Sequence, residues 1–172
     1  MQIIIILLTA LASLISVPIG DAGFRFTLGI IIFITATHIF KPKRPILMAI
    51  LAGLAVCIVR IIFDSMSIDM NAALASNYLL EAFFYIGYGL IYHWAVTTNT
   101  SDYPLPLVGA LVLSDAGGNA LEYFLRHLAN YEVYQNASLL SILIAAAIRS
   151  VIIVILIWVI QDVFKYPKKM EA

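Results

Sequence analysis

Asp115, Asn119, Glu122 and Arg126 follow one another at spacings of four, three and four residues. At about 100° per residue in a helix, that spacing gathers two acids, an amide and a base onto one stripe. Such a stripe can hold a polar solute by charge and hydrogen bonds, or it can lock helices together as a ladder of ion pairs. A second stripe runs Tyr78, Glu81, Tyr85, Tyr88, Tyr92 at spacings of three, four, three and four. That period also suits plain helix packing, but a buried phenol needs a partner for its hydroxyl. Glu81 among four of them therefore favours a polar wall. Tyr78 and Tyr92, near the ends, also fit interfacial belts with Trp94, Tyr103, Tyr131 and Trp158.

Arg149 is the main internal base, placed at the depth of Asn119 and Glu122. A pair with Asp115 or Glu122 is reasonable, and its guanidinium fork can alternatively hold a ligand carboxylate. Arg60 and Asp64 are four apart on one face, open to an intrahelical ion pair or a ligand role. Arg25 follows a glycine-containing loop and is a candidate for the same outer vestibule.

Other chemistry is hard to find. The chain has no H-E-x-x-H, G-x-S-x-G, C-x-x-C or phosphate loop, and no nucleophile with an evident base. No catalytic residue, metal site or cofactor is expected. His38 and His93 lack ligand-spaced partners, and His127 is a lone outer-end histidine. Cys57 stands alone in an apolar run, so disulfides play no part. Formal net charge is zero and no basic block stands out, which argues against nucleic acid.

The elements that must position these residues are apolar. Hydrophobic residues make up 63% of 172 positions and mean hydropathy is +1.00, the composition of an integral membrane protein. Six apolar segments are predicted as helices, at about 2–17, 26–40, 46–63, 72–96, 105–129 and 139–164. The second is shorter than the roughly twenty residues a span needs. Pro18, Gly20 and Gly23 mark the first loop, Pro42 and Pro45 the second, and Pro104 and Pro106 the start of the fifth helix. Strands are not expected, because the segments lack period-two alternation. Residues 1–164 thus read as one six-helix membrane domain and 165–172 as a short basic tail. The apolar start reads as a retained first helix, since it lacks a basic n-region. Lys41, Lys43 and Arg44 after the second helix, and Lys165, Lys168 and Lys169 in the tail, place both termini in the cytoplasm. The loops with Asp21, Arg25, Asp69 and Glu132 are then external. In this setting Glu81, Asp115, Glu122 and Arg149 each cost about 2.5–3.5 kcal/mol at a helix centre, roughly 10 kcal/mol for the four. Pairing or a functional polar pocket must offset that.

The run Val17-Pro-Ile-Gly-Asp-Ala-Gly-Phe-Arg-Phe-Thr-Leu-Gly29, then Pro45 to Gly53, then Arg60-Ile-Ile-Phe-Asp64, resembles the substrate-binding S components of energy-coupling-factor transporters. It resembles more closely the membrane sensor regions of certain Gram-positive sensor histidine kinases. There the same opening precedes a tyrosine-rich fourth helix ending in an aromatic and His, here Tyr92-His93. A Ser/Asn-x-x-Glu-x-x-x-Arg helix follows, here Asn119, Glu122 and Arg126, and then Ile148-Arg149-Ser150. The resemblance covers nearly the whole chain through motifs that are short individually and telling in their order. It implies an all-α, six-transmembrane-helix bundle of the S-component kind. In those kinases the sixth helix continues into dimerisation and ATP-binding domains. Here the sequence stops eight residues past Phe164, with Pro167 interrupting a continuous helix, so the expectation is an isolated sensor module or a free-standing relative without kinase activity.

The reading that results is a multi-pass plasma-membrane domain, surrounded by lipid, that binds a small extracellular ligand and signals to a histidine kinase catalytic region. The alternative is solute capture for an energy-coupling-factor transmembrane subunit. A third possibility is a structural protein whose internal charges only pack helices. Acids at Asp64, Glu81, Asp115 and Glu122 face bases at Arg25, Arg60 and Arg149, with Tyr85 and Asn119 as neutral groups. That mixture best matches a small zwitterion or polar metabolite, carboxylate on an Arg and amine on an acid.

Overall fold

The computed structural model describes residues 1–19, 24–66, 72–98, 106–129 and 139–163. Six α-helices carry almost all of it: α1 (Gln2–Ala12), α2 (Leu28–Phe40), α3 (Pro45–Ser65), α4 (Ala72–Tyr92), α5 (Leu107–Leu128) and α6 (Leu139–Val163). The all-helical expectation holds, with two local exceptions. A π-helical turn, His93–Thr97, extends α4. The strands β1 (Ser16–Ile19) and β2 (Phe24–Thr27) form an antiparallel ribbon in which Pro18 stands opposite Arg25.

The ribbon corrects the expectation that strands are absent, and it shortens the first helix from 2–17 to Gln2–Ala12. Val17, Ile19, Phe24 and Phe26 are β-branched or aromatic at alternate positions, a pattern too short to register beside twenty-residue apolar runs. At the end of α1 the Ser13 hydroxyl donates back to Ala10 O at 2.7 Å, a local bond that competes with further helix.

The helices form a ring in which α1 touches α2 and α3, α3 touches α4, α4 touches α5, α5 touches α6, and α6 returns to α2. The α4–α5 contact is the most extensive, and small residues permit it. A Cβ on Gly118 would lie 2.8 Å from Phe84 O, and one on Gly53 would lie 2.6 Å from Ala82 O. Backbones approach this closely only where side chains are missing. The core they enclose includes Ile30, Phe33, Ile34, Val56, Leu111 and Ile153, with Tyr85, Tyr88 and Tyr92 among its largest fully buried side chains.

Among the described residues, two helices are long and apolar enough to cross a bilayer, Pro45–Ser65 and the Ile142–Val163 part of α6. At 1.5 Å per residue α3 is about 31 Å long, matching a hydrocarbon core of about 30 Å. α4 and α5 have the length but carry inward polar residues. α1 and α2 are short, about 16 and 20 Å by the same rise. Their ends are well marked. α2 closes on Lys41 in the left-handed region, φ 42°, whose N–H donates to Thr37 O, and Pro42 follows. Pro45 opens α3 at its first turn, where a missing N–H costs nothing. Asp21, Asp69, Glu132 and the tail 165–172, which bear on the expected orientation, lie outside the described residues.

Candidate functional site

α5 is the spine of the polar interior. Its Asp115 is fully buried and accepts from Arg149 Nη2 of α6 at 2.7 Å. Asn119, one turn on, donates Nδ2 to Asp115 Oδ1 at 2.7 Å and to Asp115 O at 2.9 Å. The Arg149 guanidinium stands 5.4 Å from the Phe84 ring centroid, so α4 supplies an aromatic side to the pair. Of the two acids open to Arg149, Asp115 is its ion-pair partner.

Glu122 belongs to a different pair. Arg126 donates Nε and Nη2 to Glu122 Oε1 at 2.8 and 2.6 Å, and Nη1 reaches Asn77 Oδ1 on α4. Arg126, the last member of the stripe and only two residues from the end of α5, is buried at 4% exposure. Its internal position follows from the same stripe that carries Asp115 and Glu122. Asn77 was missed, although it lies four residues before Glu81 on the face that continues the tyrosine stripe.

The third pair joins α3 to α4. Arg60 Nη1 meets Glu81 Oε2 at 2.5 Å, and its Nη2 donates to Ser13 O at 2.7 Å. The second bond meets a carbonyl just past the C-terminus of α1, where the chain leaves the helix and the dipole favours a cation. The intrahelical Arg60–Asp64 pair therefore does not form. Asp64 instead accepts from the Tyr78 hydroxyl. Both side chains turn toward α4 because α3 packs against it along this face.

Tyr85 and Tyr88 are buried at 1% and 0% exposure. Tyr85 packs edge-on to Phe33 and Phe84, with ring centroids 6.3 and 5.8 Å apart, and Tyr88 packs edge-on to Phe84 at 5.9 Å. Asp115 Oδ2 and Tyr88 Oη are buried without a hydrogen-bond partner among the described residues. Arg25 is placed on β2, and its side chain lies outside the described residues.

At the opposite end, His38 Nδ1 and Tyr92 Oη are 2.9 Å apart, linking α2 to α4, and His93 hydrogen-bonds Thr97 within the π-turn. The two histidines that lacked sequence-spaced partners thus have structural ones. No group of three or more His, Cys, Asp or Glu among the described residues is placed to hold a metal ion. Two described crevices lie away from the polar interior, one between α2 and α6 and one between α1 and α3.

Two ion pairs cross between helices, Arg60–Glu81 and Arg149–Asp115, while Arg126 bridges to α4 through Asn77. Asp115 Oδ2, Tyr85 Oη and Tyr88 Oη are buried without a hydrogen-bond partner among the described residues. No family model, curated protein or solved structure matches the chain.

Proposed function

We propose that the chain is a six-span plasma-membrane domain, S-component-like in its bundle, with both termini cytoplasmic. In this reading it binds a small polar or zwitterionic solute from outside and passes that state to a histidine kinase catalytic region. The observation that carries the binding half is the pairing deficit at the centre of the bundle. Asp115 Oδ2 and Tyr88 Oη are buried with no hydrogen-bond partner among the described residues. A buried polar group left unmet costs about 1–3 kcal/mol, which a guest ammonium or hydroxyl at either atom would relieve.

The membrane half is supported by the inversion of polarity across α6. Arg149 is 3% exposed, whereas its neighbours Ile148 and Val151 are each 47% exposed. Water would favour the reverse arrangement, and lipid favours this one. Solute capture for an energy-coupling-factor transporter uses the same interior and differs in its partner. Co-purification with ATPase subunits rather than a kinase body would select that reading.

The direct test is a thermal-stability screen of the detergent-purified chain against amino acids and vitamins. A ligand at 100 times its Kd should add about 2.7 kcal/mol. Tyr88→Phe, which deletes one unpartnered hydroxyl, should keep the fold and weaken the response. If only lipids or apolar compounds stabilise the chain, and Glu81→Gln and Arg149→Met leave that unchanged, the internal charges only pack helices.

A further inference from the structure

The crevice between α1 and α3 has a charged end and apolar walls, an arrangement distinct from the polar interior. Its volume is about 400 Å³, within the roughly 300–1,000 Å³ range of ligand pockets. Lys43 and Arg44 form one end, just before α3 begins at Pro45. Leu47 and Leu51 on α3, and Ile3 and Ile6 on α1, form the walls. Met48 closes the floor at 2% exposure. Lys43 and Arg44 are exposed, and neither enters an ion pair among the described residues. Among the described residues no carboxylate lines the crevice.

We propose that this crevice binds an anionic phospholipid of the cytoplasmic leaflet, with its phosphate against Lys43 and Arg44 and an acyl chain along Ile3, Ile6, Leu47 and Leu51. The polarity runs in one direction along α3, from cations to two turns of exposed leucine. A free phosphate would use the first part and leave the second against water. An apolar helix would use the walls and leave two unneutralised cations beside it. A phospholipid matches both ends in the right order. Basic residues at the cytoplasmic side of membrane helices attract anionic headgroups, each worth about a fivefold change in affinity near the surface. The inference rests on the membrane reading of α3 and is independent of the extracellular ligand.

The test is native mass spectrometry of the purified chain in detergent, mixed with equal phosphatidylglycerol and phosphatidylcholine of the same acyl composition. Phosphatidylglycerol should be retained at least about tenfold over phosphatidylcholine. Lys43→Gln and Arg44→Gln should each lower its retention about fivefold, and Lys41→Gln, outside the crevice, less than about twofold. Ile6→Trp fills the space without changing charge and should displace the lipid; if that variant melts early, Leu51→Trp from the facing wall carries the same comparison. Equal retention of the two lipids, a Lys41→Gln effect as large as that of Lys43→Gln, or no effect from either tryptophan would overturn the site. A chain that stays in solution without detergent would instead refute the membrane reading itself.

Discussion

Asp115 and Arg149 show how a buried charge is tolerated where no water can solvate it. The pair is closed at 2.7 Å, Asn119 donates a further bond to the same carboxylate, and Phe84 stands beside the guanidinium. Breaking such a pair leaves one charge stranded, at about 3–5 kcal/mol, whereas replacing both partners by apolar residues can be close to neutral. Asp115→Leu and Arg149→Met should therefore each destabilise by that amount, and the double variant by less than either. Thermal unfolding in detergent of the complete double-mutant cycle measures the coupling, and strictly additive losses would refute the pairing. Tyr88→Phe should behave differently. Its hydroxyl has no partner among the described residues, so stability should hold or rise within about 1 kcal/mol while any ligand-induced shift falls.

At the scale of elements, close packing of α4 against its neighbours decides where the polar stripes meet. Gly118 lies against Phe84 and Gly53 against Ala82, each with no room for a methyl group. Gly118→Ala should force the α4–α5 contact apart and lower stability by about 1–3 kcal/mol, the usual range for overpacking. Gly109, on the same helix with nothing within 4 Å of its Cβ position, is the internal control. Gly109→Ala should be neutral or stabilising by up to about 1 kcal/mol, since glycine is a poor helix former. Equal losses at the two positions in thermal melts would show that backbone entropy, not contact, controls the junction. The end of α2 offers a complementary gain. Lys41 holds φ 42°, a conformation about 1–2 kcal/mol unfavourable for a side chain with a Cβ. Lys41→Gly should raise the melting temperature by relieving that strain, because glycine has no Cβ to clash in the left-handed region.

For the whole molecule the quantity to test is the proposed orientation, with the Lys43 end of the bundle facing the cytoplasm. Lys41, Lys43 and Arg44 mark one end of α2 and α3, and Arg60 lies toward the other end of α3. Engineered cysteines near Asp69 and Glu132 should react with an impermeant maleimide on intact cells. One near Lys43 should react only after permeabilisation. The native thiol gives little background, because Cys57 is buried at 5% exposure. Labelling near Lys43 in intact cells would reverse the orientation and move the proposed lipid crevice to the outer leaflet.

Helix number, the inward stripes of α4 and α5, and the expectation of an acid for Arg149 were legible in the chain. Each follows from periodicity and from the energetic demand that an internal charge be met, both of which are local or nearly so. The choice of Asp115 over Glu122 was not legible, because it depends on the relative depth of α5 and α6. For Arg60 the sequence spacing offered only the intrahelical Asp64, and the packing of α3 on α4 paired it with Glu81 instead. The ribbon of β1 and β2 was hidden because four-residue strands carry too little pattern beside long apolar helices. Residue types and spacing determined that the interior of this protein is charged. Only the tertiary packing decided which charges neutralise one another and which polar atoms stay unmet, since pairing needs distances that spacing along one helix cannot supply.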